Sequence, residues 1–527
     1  MATAVIERAK TALPWKRCWL EGAGTAILFS PGILWSQLSP IHEDAFHRLM
    51  PQNTITRALA VDLLLLSIFG MLLAIGIEAL VRWEAGEGRR SRRPLAPLLW
   101  AVWLGLLAAE GTAGLMFAQL ARWRGVSDVR AFLAVSELLL LLWIFSPLWY
   151  RRCVRFLRYG LMLLGLCIFW MLPVLLAHSL EHQPWDHVRF SKPVPPTAAQ
   201  HRRIVWLLFD GMSYDQMFDH RRPDLMVPNF DKLHQVSVTF SNMGPGGSYT
   251  ENVIPSVFLG KLIAHVQATT AGSLNFQQNG GDWEPFEEDE TLFADAKHQG
   301  WTTGVAGWFN PYCRMLQSQL DFCSMLLPPF PSHFSRNNST FRNVLAPVIG
   351  NWTYPPPATP KSRDLLDQLE FIAPDEALIN DSSINLAFVH LPIPHAPNRY
   401  NRRTARLEPN GSYLDNLALS DLVLGRFLKD IQTSAAADRT TLIVSSDHGW
   451  RVWMWRRQIG WTPEDEVASG GGKFDDRPML MVSFPGEQHS AVIGRRIPLL
   501  NMHGMIEDML AGHIESREQL EDWAVQQ

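Results

Sequence analysis

Four residues of this sequence are of the types that gather around one divalent cation: Asp210, Thr250, Asp447 and His448. The last two stand in Thr441-Leu-Ile-Val-Ser-Ser-Asp447-His448-Gly449-Trp450, where an apolar, β-branched run delivers an acid and an imidazole side by side. One hard oxygen and one borderline nitrogen suit zinc or manganese. Asp210 closes a second such run, Ile204-Val-Trp-Leu-Leu-Phe209, and is followed by Gly211. Thr250 lies between a glycine-rich turn, Gly244-Pro-Gly-Gly-Ser-Tyr, and an apolar stretch that ends at Gly260. Glycines free the backbone to approach an anion, and a helix starting there aims its first N–H groups at it. A threonine hydroxyl is barely ionised at neutral pH; cation binding lowers its pKa and makes it a nucleophile toward phosphorus or sulfur. Plain structural roles compete with this reading: Thr250 as a helix cap, and Asp447 as a cap beside a surface histidine.

Two further imidazoles and an ammonium are candidates for substrate contact. His390 and His395 occur in Asn385-Leu-Ala-Phe-Val-His390-Leu-Pro-Ile-Pro-His395-Ala-Pro. His395, beyond the apolar run on a proline-stiffened loop, is the stronger of the two. Lys473, after Gly470-Gly-Gly, offers a point charge for substrate oxygens.

Residues of this kind need a scaffold to converge. The uninterrupted apolar runs read as strands buried on both faces, with weaker strands at 236–240 and 478–484. Val227-Pro-Asn-Phe-Asp-Lys-Leu-His234 reads as a helix with Pro near its start, and residues 413–431 carry apolar side chains at helical spacing. Strands alternating with helices predict a doubly wound, mainly parallel sheet with its chemistry at the carboxyl ends of the strands.

At 527 residues the chain exceeds one ordinary domain, and its parts differ in character. Segments 58–81, 95–121, 131–150 and 157–177 each offer the roughly 20 apolar residues that cross a bilayer core. Residues 19–38, interrupted by Pro31-Gly32, are a fifth candidate. The expectation is an N-terminal all-α transmembrane bundle of four to five helices over 1–180, a Pro-rich tether over 181–200, and an α/β domain over 201–527. No cleavage site follows a short apolar core, which argues against a cleaved signal peptide. Arg82, Arg89, Arg90, Arg92 and Arg93 form one basic loop, and Arg151, Arg152, Arg155 and Arg158 another. Opposite them stand Arg48 and Arg57, then Arg122, Arg124 and Arg130, so the α/β domain is expected outside the cytoplasm. Glu110 and Glu137 fall within spans, either lining a cavity or bonded between helices. Cys18, Cys153 and Cys167 belong to the membrane half, while nine residues separate Cys313 from Cys323, a spacing that permits a disulfide in an oxidising space. The net charge of -4 averages unlike halves, and no nucleic-acid partner is expected.

Val205-Trp-Leu-Leu-Phe-Asp210-Gly211, Pro228-Asn-Phe-Asp-Lys-Leu, Thr250 and Ser446-Asp447-His448-Gly449 come in an order that resembles the alkaline phosphatase and sulfatase superfamily. The resemblance implies an alkaline phosphatase-like fold, one metal held by Asp210, Thr250, Asp447 and His448, and Thr250 as nucleophile. Sulfatases carry Cys or Ser in Cys-x-Pro-x-Arg; no Cys stands near Thr250, and Pro255 is followed by Ser-Val. Thr250 with Pro255 and Phe258, and His395 in its loop, look more like the membrane-anchored phosphoethanolamine and phosphoglycerol transferases. Those usually have Glu where Asp210 stands and often a further His where Gly470-Gly-Gly-Lys473 stands. The expectation is a phosphotransferase of the bacterial inner membrane with its catalytic domain on the periplasmic side. Its donor would be a phospholipid and its acceptor an envelope glycan or lipid; the alternative is a sulfatase-like hydrolase or phosphodiesterase.

Overall fold

The computed structural model describes residues 14–29, 52–86, 150–180, 189–194, 202–268, 274–326, 365–408, 411–457 and 460–527. They form two compact units, a helical one before residue 184 and an α/β one that holds the candidate site.

The helical unit contains α1 (Trp15–Phe29), α2 (Gln52–Gly86), α3 (Tyr150–Gly165) and α4 (Ile168–Ser179). Helix α1 packs closely on both α2 and α3 because glycines remove the side chains that would hold them apart. A Cβ on Gly22 would lie 2.3 Å from the Ser67 carbonyl oxygen, and one on Gly24 1.9 Å from that of Leu161. Such backbone approach through small residues is typical of helices packed within a bilayer. Two stretches, Leu63–Leu80 and Arg158–Ala177, are long and apolar enough to cross a membrane. The second runs through a turn at Leu166 and Cys167, so the span expected over 157–177 is two helices in series. Phe69, Leu72, Phe156 and Trp170 point outward. Arg158, expected in a basic loop, lies in α3, where it donates to Glu21 at 2.8 Å and to Glu78 at 2.5 Å. A charge with no water nearby is retained only with such partners. The spans expected over 95–121 and 131–150, with Glu110 and Glu137, lie outside the described residues.

In the α/β unit the main sheet has nine strands: β1 (Arg189–Ser191), β2 (Arg203–Phe209), β3 (Val238–Phe240), β4 (Thr303–Trp308), β5 (Phe322–Leu326), β6 (Leu386–Leu391), β7 (Thr440–Ser445), β8 (Leu480–Ser483) and β9 (Ala491–Ile493). Their order is β1-β5-β4-β6-β2-β7-β8-β3-β9. The centre, β5-β4-β6-β2-β7, is parallel, while β1 and β8 pair antiparallel with their neighbours, so the sheet is mixed and mostly parallel. Strand β1 corrects the expected tether: Phe190 pairs with Cys323 at the sheet edge. Three residues are too few for a periodic signal, and the strand exists only because β5 offers it a partner.

Strand β2 shows why the runs are apolar throughout. Ile204, Trp206 and Leu208 enter one core, and Val205, Leu207 and Phe209 the other. On the first face lie α6 (Thr250–Leu259) and two C-terminal helices; on the second lie α5 (Pro228–His234) and α7 (Tyr413–Thr433). Helix α7 starts with a capping box in which Ser412 and Asp415 satisfy each other's backbone N–H groups. Cys313 and Cys323 are bonded, tying the short helix Tyr312–Met315 to β5.

Alanine at Gly24 should lower the unfolding midpoint of the detergent-solubilised chain, by an overpacking cost of about 3 kcal/mol. Alanine at Gly76, where a Cβ meets nothing within 4 Å, should leave it unchanged or raise it.

Candidate metal and nucleophile site

Strands β6, β2 and β7 are neighbours, so three apolar runs distant in sequence deliver their polar residues to one place. Asp210 follows β2, His390 lies in the last turn of the pleat of β6, and Asp447 and His448 follow β7. The two acid-bearing turns are stitched together. Ser446 accepts from the Met212 N–H at 2.8 Å and donates to the His448 carbonyl at 2.8 Å. One oxygen of Asp447 accepts from the Gly211 N–H at 3.0 Å. Tyr413 at the start of α7 donates to the Gly211 carbonyl at 2.8 Å. Gly211 has φ +74°, and a Cβ there would meet the His448 ring at 3.2 Å, so glycine serves both conformation and space.

Thr250 is the first residue of α6. Its side chain makes no cap; the cap position belongs to Tyr249. Instead its hydroxyl donates to the second oxygen of Asp447 at 2.7 Å and lies 3.5 Å from His448 Nε2. His448 Nε2 is also 3.4 Å from Asp210 Oδ1 and 3.3 Å from Asp447 Oδ2. Its Nδ1 faces the Gly449 carbonyl at 2.8 Å, an oxygen that can only accept, so the proton is on Nδ1 and the Nε2 lone pair points at the acids. Burial pulls the His448 pKa down, with Asp447 opposing, which keeps the ring neutral. The surface-histidine and helix-cap alternatives are thereby set aside: Asp447 and His448 are both buried, and the helix after them is capped at Arg451.

Asp210 is buried with no hydrogen bond to either carboxylate oxygen. Ligand atoms of Asp210, Asp447 and His448 lie within 4.8 Å of one another. A divalent cation fits this donor set: two buried carboxylates and a neutral imidazole lone pair converge, and the orphaned Asp210 oxygens lack any other partner.

The other predicted residues are placed as follows. His390 is buried, with Nε2 3.8 Å from Asp210 Oδ2 and Nδ1 2.7 Å from the Tyr312 hydroxyl. His395 lines a cleft of about 370 Å³ beside His448 and Gly211. Lys473 is exposed just past a glycine turn and is not among the residues lining that cleft. Sequence reasoning passed over Arg451, Tyr312, Asn310 and the aromatic wall of Tyr413, Trp450, Trp455 and Trp461. Arg451 is three residues past His448, the one signal that marked it; Tyr312 is adjacent to Cys313. Asn310 reaches the Thr250 carbonyl at 3.5 Å from a turn in which Phe309 has φ +70°.

The family model described as Sulfatase matches residues 202–480, more than half of the chain. The chain belongs to the sulfatase family. No curated protein matches it in sequence. Among solved structures it is similar to an alkaline phosphatase superfamily protein from Vibrio parahaemolyticus, at 14% identity and TM-score 0.36, covering 63% of this chain and 71% of that one. It is similar to the phosphonate monoester hydrolase of Agrobacterium radiobacter, at 16% identity and TM-score 0.36, covering 59% and 74%. A third is the lipoteichoic acid synthase LtaP from Listeria monocytogenes, at 10% identity and TM-score 0.35, covering 60% and 75%. The last two are a hydrolase and a synthase, and neither activity is carried to this sulfatase-family chain by the likeness.

Zinc titration of the purified chain should show affinity weakened about 100-fold or more by His448→Ala or Asp210→Asn, as expected when a ligand is lost. Lys473→Ala should bind as the unaltered protein does.

Proposed function

We propose that this chain is a membrane-anchored phosphotransferase of the inner membrane. In this reading it moves a phospholipid headgroup phosphate, such as phosphoethanolamine or phosphoglycerol, to an envelope glycan or lipid through a phosphorylated Thr250. One observation supports it above the rest: a threonine hydroxyl at a helix start, 2.7 Å from a buried carboxylate and 3.5 Å from an imidazole lone pair, where a formylglycine sulfatase would need Cys or Ser. The outward apolar side chains of α2 to α4 fit a lipid surround and hence a lipid donor.

Asp210, Asp447, His448 and Thr250 hold the cation, zinc or manganese; when bound, it lowers the hydroxyl pKa and offsets charge on the phosphoryl group. The Thr250 proton passes to Asp447, its hydrogen-bond partner, as Oγ1 attacks phosphorus. The phosphorus–oxygen bond to diacylglycerol breaks, and the first N–H groups of α6 face the phosphoryl oxygens. His395 on the cleft wall protonates the leaving oxygen once its Nε2 carries a proton. An acceptor hydroxyl then attacks the phosphothreonine, giving its proton to His395 Nε2 as the phosphorus–Oγ1 bond breaks, and Asp447 returns its proton to Thr250. His390, fixed by Tyr312, holds Asp210 in place.

Incubation of the full-length protein with lipid extract should add a headgroup phosphate to the Thr250 peptide, read by mass spectrometry. Thr250→Ala should abolish both the adduct and turnover, a loss of about 1000-fold or more. Release of phosphorylated headgroup into water at the same rate with and without a glycan acceptor would instead mark a hydrolase.

A further inference from the structure

Arg451 is nearly fully buried, yet no carboxylate lies within ion-pair distance of it among the described residues. Its Nη1 donates to the Ser248 carbonyl at 3.0 Å and its Nη2 to His395 Nε2 at 3.1 Å, while its Nε has no partner. The guanidinium lies on the wall of the cleft that also exposes Gly211, His395 and His448. Beyond the Tyr249 ring 5.9 Å away, this buried cation meets only neutral acceptors, so its charge is compensated little and its burial is costly. Its cost is recovered when an anion enters, and a planar fork of donors matches a tetrahedral oxyanion.

We propose that Arg451 is the anion-binding residue of the cleft, and that it takes a phosphoryl oxygen of the substrate in exchange for His395. The His395 arrangement supports the exchange. Its Nδ1 faces the Ala396 carbonyl at 2.6 Å and therefore carries the proton, so Nε2 is an acceptor, and Arg451 occupies it. While that bond stands, His395 has no proton to give toward the cleft. Moving the guanidinium onto substrate leaves Nε2 open, so the same event that holds the phosphoryl group frees the imidazole beside it. Ser248, two residues before Thr250, keeps the other end of the fork in register with the nucleophile. This inference rests on the phosphotransferase reading for its substrate, but the binding of an oxyanion does not require turnover.

The test uses full-length protein in detergent, stripped of metal with a chelator, and inorganic phosphate as probe. The rise in unfolding midpoint with phosphate reports its affinity. Phosphate should stabilise the unaltered protein, Arg451→Gln should raise the apparent Kd about 30-fold or more, and Arg451→Lys should fall between. Equal stabilisation of Arg451→Gln and unaltered protein, or none in either, overturns the proposal. With metal restored and a nitrophenyl phosphodiester as substrate, Arg451→Lys should raise KM more than it lowers kcat; a fall in kcat at constant KM would make Arg451 only a brace for the Ser248 turn and overturn its binding role. Stabilisation by phosphate without turnover of any phosphodiester would refute the phosphotransferase reading and leave Arg451 as an oxyanion binder, as would equal stabilisation by sulfate with turnover of sulfate esters only.

Discussion

The α/β unit is built around an electrostatic imbalance. Asp210 and Asp447 are buried at the carboxyl ends of adjacent strands, and an uncompensated carboxylate in such a place costs several kcal/mol. Asp447 is partly answered by three donors, from Gly211, His448 and Thr250. Asp210 has none, and the imidazoles of His390 and His448 at 3.8 and 3.4 Å are its nearest relief. A fold that keeps such a group must offset it elsewhere or receive a cation. The surrounding turns serve that second outcome: Ser446, Tyr413 and Gly211 hold the two acid-bearing loops in fixed relation, so the donors are in place before any ligand arrives.

The same constraint explains what could be read from the sequence. Strands β2, β6 and β7 are buried on both faces, so their residues are apolar without interruption, and the run itself marks the element. The first charged residue after each run is then conspicuous: Asp210 directly after Phe209, and Asp447 two serines past Val444, stood out for that reason. Thr250 was visible through its glycine turn. Its bond to Asp447, which separates nucleophile from helix cap, was not, because 197 positions separate the partners and only the sheet order brings them together.

What the sequence hid has a common cause. Strand β1 is three residues long and half-exposed, without period or propensity, and depends on β5. Strand β8 was visible as a strand, but its antiparallel direction follows from the connection, which no local pattern encodes. Arg451 looked like any loop arginine; burial and the absence of an acid partner are properties of the folded chain. The aromatic stack of Tyr413, Trp450 and Trp461, with rings 4.2 and 5.2 Å apart, was equally silent, since a tyrosine at 413 and tryptophans at 450 and 461 follow no spacing rule.

The helical unit shows a charge misread in the opposite direction. Arg158 was counted with Arg151, Arg152 and Arg155 as part of a basic loop, but all four lie within α3, and Arg158 pairs there with Glu21 and Glu78. A residue whose charge is cancelled inside the helices contributes nothing to the loop bias that sets orientation. Removing it leaves three arginines in the first turns of α3 against Arg122, Arg124 and Arg130 before them, which is no bias at all. The orientation then rests on Arg82, Arg89, Arg90, Arg92 and Arg93, five arginines against the two of the preceding loop. The proposed placement of the catalytic domain outside the cytoplasm therefore depends on that cluster, joined by Arg8, Lys10, Lys16 and Arg17 of the N-terminus where 19–38 spans, and charge reversal in the cluster would disturb the topology more than changes at 151–158.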